Sequence, residues 1–339
     1  MAKNFLQIVL FGDSMTWSPG VPVGARYVDF IEEKLLNFYG NEWIIDVAAC
    51  GDGGNTAEEG FARIQRDCIS YQPHIVVIHF GANDCIRAPD RENFKSYYRK
   101  ILKEIKNNAT KYMILETIPT LDEQWHSQKN NPKALFYGGL ENYLEFFSHS
   151  FIRETAENEN LPLHDRFKIY HKIIQDDPSL REKLIQKDGV HLTEQGNKFF
   201  AETLVSIIQD IVPQINQFPG NPEIWLEQAE LNPVYIDCLQ KIENASLKEY
   251  LTETPNLKRL MIQKTRSFSK RAMAFADDEE TKNRAIVVES LASGLMAAER
   301  IFNNPDNIEL KEKSRNWAIS HLAKISENPS AIGLMKLLK

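Results

Sequence analysis

A serine hydroxyl attacks a carbonyl carbon only when a base takes its proton. The base works best when a third group fixes its tautomer and stabilises its charged form. Ser14, His191 and Asp188 are residues of those three types. Ser14 closes the run Ile8-Val9-Leu10-Phe11-Gly12-Asp13-Ser14. Uninterrupted apolar residues there read as a strand covered on both faces, and Gly12 as the point where the backbone turns sharply. The hydroxyl then falls at the carboxyl end of the first strand, the edge where open α/β sheets put their chemistry. Asp188 and His191 stand three residues apart in the loop Lys187-Asp188-Gly189-Val190-His191-Leu192. That spacing lets the carboxylate curl back to accept the Nδ1 proton while Nε2 faces the serine.

Acyl transfer also needs N–H donors aimed at the oxyanion of the tetrahedral intermediate. Three sources are available: the backbone N–H of Ser14, that of a glycine in the loop Gly51-Asp52-Gly53-Gly54-Asn55, and the carboxamide of Asn83. Each residue alone has a plainer reading. Ser14 would be a helix cap, the glycines turn formers, Asn83 a loop residue tolerant of left-handed dihedrals, and the Asp188–His191 pair a surface charge beside the capping Thr193. Their order is what favours chemistry, since each comes after a successive element of one sheet.

The elements that must position them alternate. A helix over Tyr27 to Phe38, closed by Gly40, comes after the Ser14 loop, and Trp43 to Ala49 is a second strand. Thr56-Ala57-Glu58-Glu59 has capping-box spacing for a helix to about Arg66. His74 to Phe80 is a third strand ending at Gly81-Ala82-Asn83-Asp84, Asp90 caps a helix through Ile105, and Tyr112 to Thr117 is a fourth strand. Pro119 to Gly139 is aperiodic and carries Trp125, His126, Phe136 and Tyr137, and loops of that length are usually functional or disordered. A helix from Leu140 to Asn158, a fifth strand over Leu161 to Asp165, helical pieces to Gln186 and a helix from Thr193 to about Val212 complete an α/β domain with a parallel sheet. Phe218-Pro219-Gly220-Asn221-Pro222 breaks the pattern, so the chain is divided into 1–217 and an all-α region over 218–339. Helices are expected there from Pro222, Ser246, Pro255, Asp277, Pro305 and Pro329.

Composition narrows the function. The formal charge is −7, all of it on the first 220 residues, so neither part offers the basic face that nucleic acid needs. Cys50, Cys68, Cys85 and Cys238 show no metal-ligand spacing and read as buried reduced thiols; no metal or cofactor is expected. The apolar windows are too short and too often charged for a membrane span. The first strand begins within five residues of Met1, which leaves no room for a leader peptide, so a cytoplasmic location is expected.

Taken together, Phe11-Gly12-Asp13-Ser14, Gly54-Asn55-Thr56 with Glu59-Gly60, Gly81-Ala82-Asn83-Asp84 and Asp188-Gly189-Val190-His191-Leu192 resemble the four ordered blocks of the SGNH (GDSL-type) hydrolases over about residues 5–212. The resemblance implies a flavodoxin-like three-layer α/β/α sandwich and a serine esterase or acylhydrolase. It implies Ser14 as nucleophile, His191 as general base and acid, Asp188 as its partner, and an oxyanion hole of Ser14, Gly54 and Asn83. Gly-x-Thr spacing favours Gly54, with Gly51 or Gly53 as the alternative. Met15 stands where the family name has leucine. The expected partner is a small-molecule ester, with acyl transfer to another alcohol as a variant. The competing expectation is an interaction or scaffold protein, in which the helical part binds a partner or a second copy and the sheet domain is weakly active or inactive.

Overall fold

Five apolar runs become five strands in the computed structural model of the chain, which describes residues 4–108, 112–215, 217 and 220–338. They are β1 (Asn4–Gly12), β2 (Trp43–Gly51), β3 (Ile75–His79), β4 (Tyr112–Glu116) and β5 (Leu163–His164). Their order is β2-β1-β3-β4-β5, with β1–β3, β3–β4 and β4–β5 paired in parallel. This is the flavodoxin-like order. Every residue of β1 after Asn4 and every residue of β3 is buried, as strands covered on both faces require.

The helices of this half are α1 (Ser14–Trp17), α2 (Tyr27–Tyr39), α3 (Ala57–Asp67), α4 (Ala82–Ile86), α5 (Arg91–Asn107), α6 (Pro132–Phe136), α7 (Leu140–Leu144), α8 (Ser150–Asn158), α9 (Arg166–Asp176), α10 (Leu180–Leu184) and α11 (Glu194–Ile211). Thr56 caps α3 with Glu59 reaching back, the box its spacing predicts. The stretch expected to be aperiodic holds the short helix α6, started by Asn131 as cap and Pro132 at its first position. The helix expected over Leu140 to Asn158 is interrupted by one wide π-turn at Glu145–His149. Beyond α11 come α12 (Pro222–Glu230), α13 (Pro233–Glu243), α14 (Leu247–Thr252), α15 (Pro255–Phe275), α16 (Glu279–Phe302), α17 (Ile308–Leu322) and α18 (Pro329–Leu337). The helix expected from Pro305 begins instead at Ile308, because Asn307 caps it through Leu310 N–H. Among the described residues, no helix is long and apolar enough to cross a membrane.

The chain forms two compact units: one of Ile8–Pro19 and Ala49–Ile215, the other of Met1–Gln7, Gly20–Ala48 and Asn216–Lys339. Of the segment that marks the 217/218 boundary, Phe218 and Pro219 lie outside the described residues. The helices beyond it thus share a unit with α2 and the first part of β2. A buried ion cluster on α15 ties these segments together. Arg266 reaches Glu32 at 2.9 Å, Asp46 at 3.2 Å and Glu289 at 3.3 Å, and Lys270 reaches Glu32 at 2.7 Å. Burial works against ionised Glu32, but the charges and N–H groups of Arg266 and Lys270 prevail and bring its carboxyl down to about 2. A carboxyl depressed in the folded chain adds stability that is present above its unfolded value of 4.5 and lost as pH falls toward 2. Glu32→Gln is expected to cost on the order of 3 kcal/mol at pH 7 by leaving buried cations short of a partner. In urea melts the gap from the wild type should close between pH 4.5 and 2.

Candidate active site

All the residues singled out for chemistry lie in the unit of Ile8–Pro19 and Ala49–Ile215. β1 ends at Gly12, Asp13 caps α1 by accepting the Met15 N–H at 3.0 Å, and Ser14 is the first helical residue. Gly12 is required for close packing and not for a turn. A Cβ there would lie 2.4 Å from the His79 carbonyl oxygen and from Thr16 Oγ1, while its φ is not positive.

The Asp188–His191 loop is closed at its base by an antiparallel bridge between Ile185 and Leu192, with Gln186 N–H donating to the His191 carbonyl at 2.7 Å. Gly189 sits at φ 77°, and Gln186 Nε2 ties the loop to Pro19 O at 2.9 Å. Thr193 caps α11 through Gly196 N–H. Held this way, Ser14 Oγ is 2.8 Å from His191 Nε2, and His191 Nδ1 is 2.6 Å from Asp188 Oδ2. Asp188 Oδ1 also accepts the N–H groups of Val190 at 2.9 Å and His191 at 3.0 Å. Partial burial opposes its charge. The hydrogen bond and charge of His191 and the two backbone donors outweigh that and lower the carboxyl to about 2. An ionised Asp188 can accept the Nδ1 proton, and the lone pair of Nε2 can then face the serine hydroxyl. Ser14 and His191 are half-buried, so the pair is open to solvent on one side.

The expected oxyanion donors are differently engaged. Among the described residues, the N–H groups of Ser14 and Gly54 have no partner. Gly54 is the one glycine of its loop with a positive φ, 78°, and its carbonyl accepts from Arg87, which adjoins α4. Gly51 instead closes β2 where a Cβ would collide with Asp13 O, and Gly53 is exposed beside Trp17. Asn83, on α4, donates both amide hydrogens within the protein, to Asp13 Oδ2 at 3.0 Å and to Asn55 O at 3.2 Å. It therefore ties the serine block to the glycine loop, and donation to an oxyanion requires one of these bonds to be exchanged.

Several residues around the site carry no local sequence signal. Asp13 is fully buried, with His79 Nε2 at 3.9 Å, and His79 Nδ1 accepts from Arg166 at 2.5 Å. Arg166 pairs with Glu116, which also meets His164 at 2.7 Å. Burial opposes the Glu116 charge, yet Arg166 and the His164 imidazole hold its carboxyl well below the usual range. This buried polar chain crosses the carboxyl ends of β3, β4 and β5. His126, from the long loop, packs its backbone on Gly189, and burial lowers its imidazole while Asp188 pulls it the other way.

Asp84, beside Asn83, is 4% exposed; its Oδ1 accepts the Ala57 N–H at 2.9 Å and its Oδ2 has no partner among the described residues. Burial, the largest influence, raises its carboxyl to about 7, with Asp13 and Glu59 adding to it. A carboxyl that holds its proton more tightly when folded makes stability fall as pH rises, here from about 4 to about 7. Asp84→Asn is therefore expected to raise stability at pH 8 by on the order of 2 kcal/mol and to change it little at pH 4, measured by urea melts.

The model of the GDSL-like lipase/acylhydrolase family matches residues 10–199. An isoamyl acetate-hydrolysing esterase of Saccharomyces cerevisiae is 22% identical over 66% of this chain and 94% of its own. The thioesterase 1/protease 1/lysophospholipase L1 of Escherichia coli is 21% identical over 60% of this chain and 84% of its own. Among solved structures, a lipase/acylhydrolase from Enterococcus faecalis is 25% identical, with a TM-score of 0.47, over 60% of this chain and 96% of that one. With more than half of its length matched by the family model, and the serine–histidine–aspartate contact in place, the chain belongs to the GDSL-like lipase/acylhydrolase family.

Proposed function

We propose that this esterase cleaves a carboxylic ester through an acyl-serine intermediate. Ser14 Oγ attacks the carbonyl carbon while His191 Nε2 takes its proton, and the tetrahedral oxyanion forms. The C–O bond to the alcohol then breaks as His191 returns that proton to the leaving oxygen. Water enters, gives its proton to His191, and attacks the acyl carbon; the acid leaves and Ser14 recovers its proton. Asp188 holds His191 in the required tautomer and stabilises it when charged. The oxyanion is received by the N–H groups of Ser14 and Gly54 and by the Asn83 carboxamide. The single observation that supports this reading most is the continuous chain from Ser14 Oγ through His191 to Asp188, with contacts of 2.8 and 2.6 Å.

The substrate is proposed to be an ester of small or moderate size. Trp17, one helical turn from Ser14, lies beside Gly53, and in the same unit Phe136, Tyr137, Phe146 and Arg91 line a cavity of about 410 Å³. Such aromatic surface suits a sugar face or an acyl chain. An activity panel of p-nitrophenyl esters of rising acyl length and of acetylated sugars tests the reading. Turnover by the wild type and none by Ser14→Ala is expected. Equal background rates from both would leave the sheet domain as a scaffold. The helical region over 218–339 is proposed as an interface for a partner or a second copy, and sizing of the intact chain across concentration tests it.

A further inference from the structure

We propose that Arg63 is a positioning residue for this reaction, tying the serine block and the oxyanion loop together from beneath; the proposal rests on the esterase reading above. Arg63 stands on α3, and its side chain is 8% exposed. Its guanidinium donates to Gly12 O at 2.5 Å, to Cys50 O at 2.9 Å and to Asn55 Oδ1 at 2.7 Å. Asp67, one turn along the helix, accepts from it at 3.3 Å, and the centre of the Phe11 ring lies 4.9 Å away.

Each of the three acceptors borders a segment of the site. Gly12 O is two residues before Ser14, at the last residue of β1. Cys50 O is at the end of β2, where the glycine loop begins. Asn55 comes directly after Gly54, and its own carbonyl is the one that receives Asn83 Nδ2. One planar cation thus holds a backbone carbonyl before the proposed oxyanion loop, a side chain directly after it, and the strand that carries the nucleophile. Only an arginine has several donors in a fixed fork that can serve three acceptors at once. A lysine ammonium lacks that planar fork and cannot hold all three acceptors in this geometry. Asn83 and Arg87 approach the same loop from the α4 side, so the loop is held from both sides.

Arg63 touches no reacting atom in this reading; its effect passes through the loops. A displacement of about 1 Å in a catalytic group costs on the order of 10²-fold in rate. Arg63→Lys and Arg63→Ala are therefore expected to lower kcat by roughly 10- to 100-fold while KM changes little. Added guanidinium should restore part of the Arg63→Ala loss. Amide hydrogen exchange should rise at residues 12–18 and 50–56 and stay unchanged in α5. Ile64→Ala, a core truncation on the same helix, controls for destabilisation alone. The proposal is overturned if Arg63→Lys turns over like the wild type. It also fails if guanidinium restores nothing and Ile64→Ala loses kcat equally at matched folded fraction. Should the wild type itself show no Ser14-dependent turnover, the esterase reading falls, and exchange in the two loops then decides the tie by itself.

Discussion

Ser14→Ala and His191→Ala are each expected to lower kcat for a short-chain ester by about 10⁴-fold or more, and the double variant to lose little beyond either alone. The reason is that the two act as one unit. The serine is a nucleophile only while Nε2 can take its proton, and the 2.8 Å contact serves no purpose once either partner is gone. KM should change far less than kcat, since neither side chain is needed to hold the ground-state ester. Both residues are only half-buried, so melting temperatures should stay near that of the wild type. Additive losses in the double variant, or losses that track the unfolded fraction, would show that the contact is not the source of rate.

Asn83→Ala is expected to lower kcat by about 10²- to 10³-fold, the range for removing one oxyanion donor. Both of its hydrogens are spent on Asp13 and Asn55, so two effects are combined in the variant. Losing the donor acts only in the transition state and lowers kcat at constant KM. Losing the tie between the serine block and the glycine loop acts in the free enzyme as well, and raises hydrogen exchange at Asn55 and Thr56. Kinetics and exchange measured on the same preparation separate them. A fall in stability with full activity per folded molecule would make Asn83 a structural tie alone.

Much of the fold is legible in the sequence because it is encoded locally. Unbroken apolar runs such as 75–78 and 8–11 read as buried strands, and caps such as Thr56, Asp90 and Thr193 act over three residues. Asp188 and His191 are readable for the same reason, since three residues of loop decide their contact. Whatever depends on partners far along the chain stays hidden. Arg63 reads as a polar residue on an amphipathic helix until Gly12 O and Cys50 O are brought over it. Glu116 and His164 look like strand ends, yet they pair with each other, and Glu116 with Arg166, inside the protein. Among the ties between the C-terminal helices and α2 is the pair of Arg266 and Glu32, which are 234 residues apart. Gly12 is readable as an obligatory glycine but for the wrong cause, because close approach and a tight turn leave the same mark on a sequence.

If Ser14 carries the acyl group between two steps of an ester hydrolysis, the acyl-enzyme can be trapped. Rapid acid quench of the wild type with p-nitrophenyl acetate, with peptide mass spectrometry of the quenched protein, tests this most directly. One acetyl group per enzyme is expected on the peptide holding Ser14, formed with the burst of p-nitrophenol, absent in Ser14→Ala and accumulating more slowly in His191→Ala. Turnover without any acylated Ser14 peptide, or equal labelling of Ser14→Ala, would contradict it.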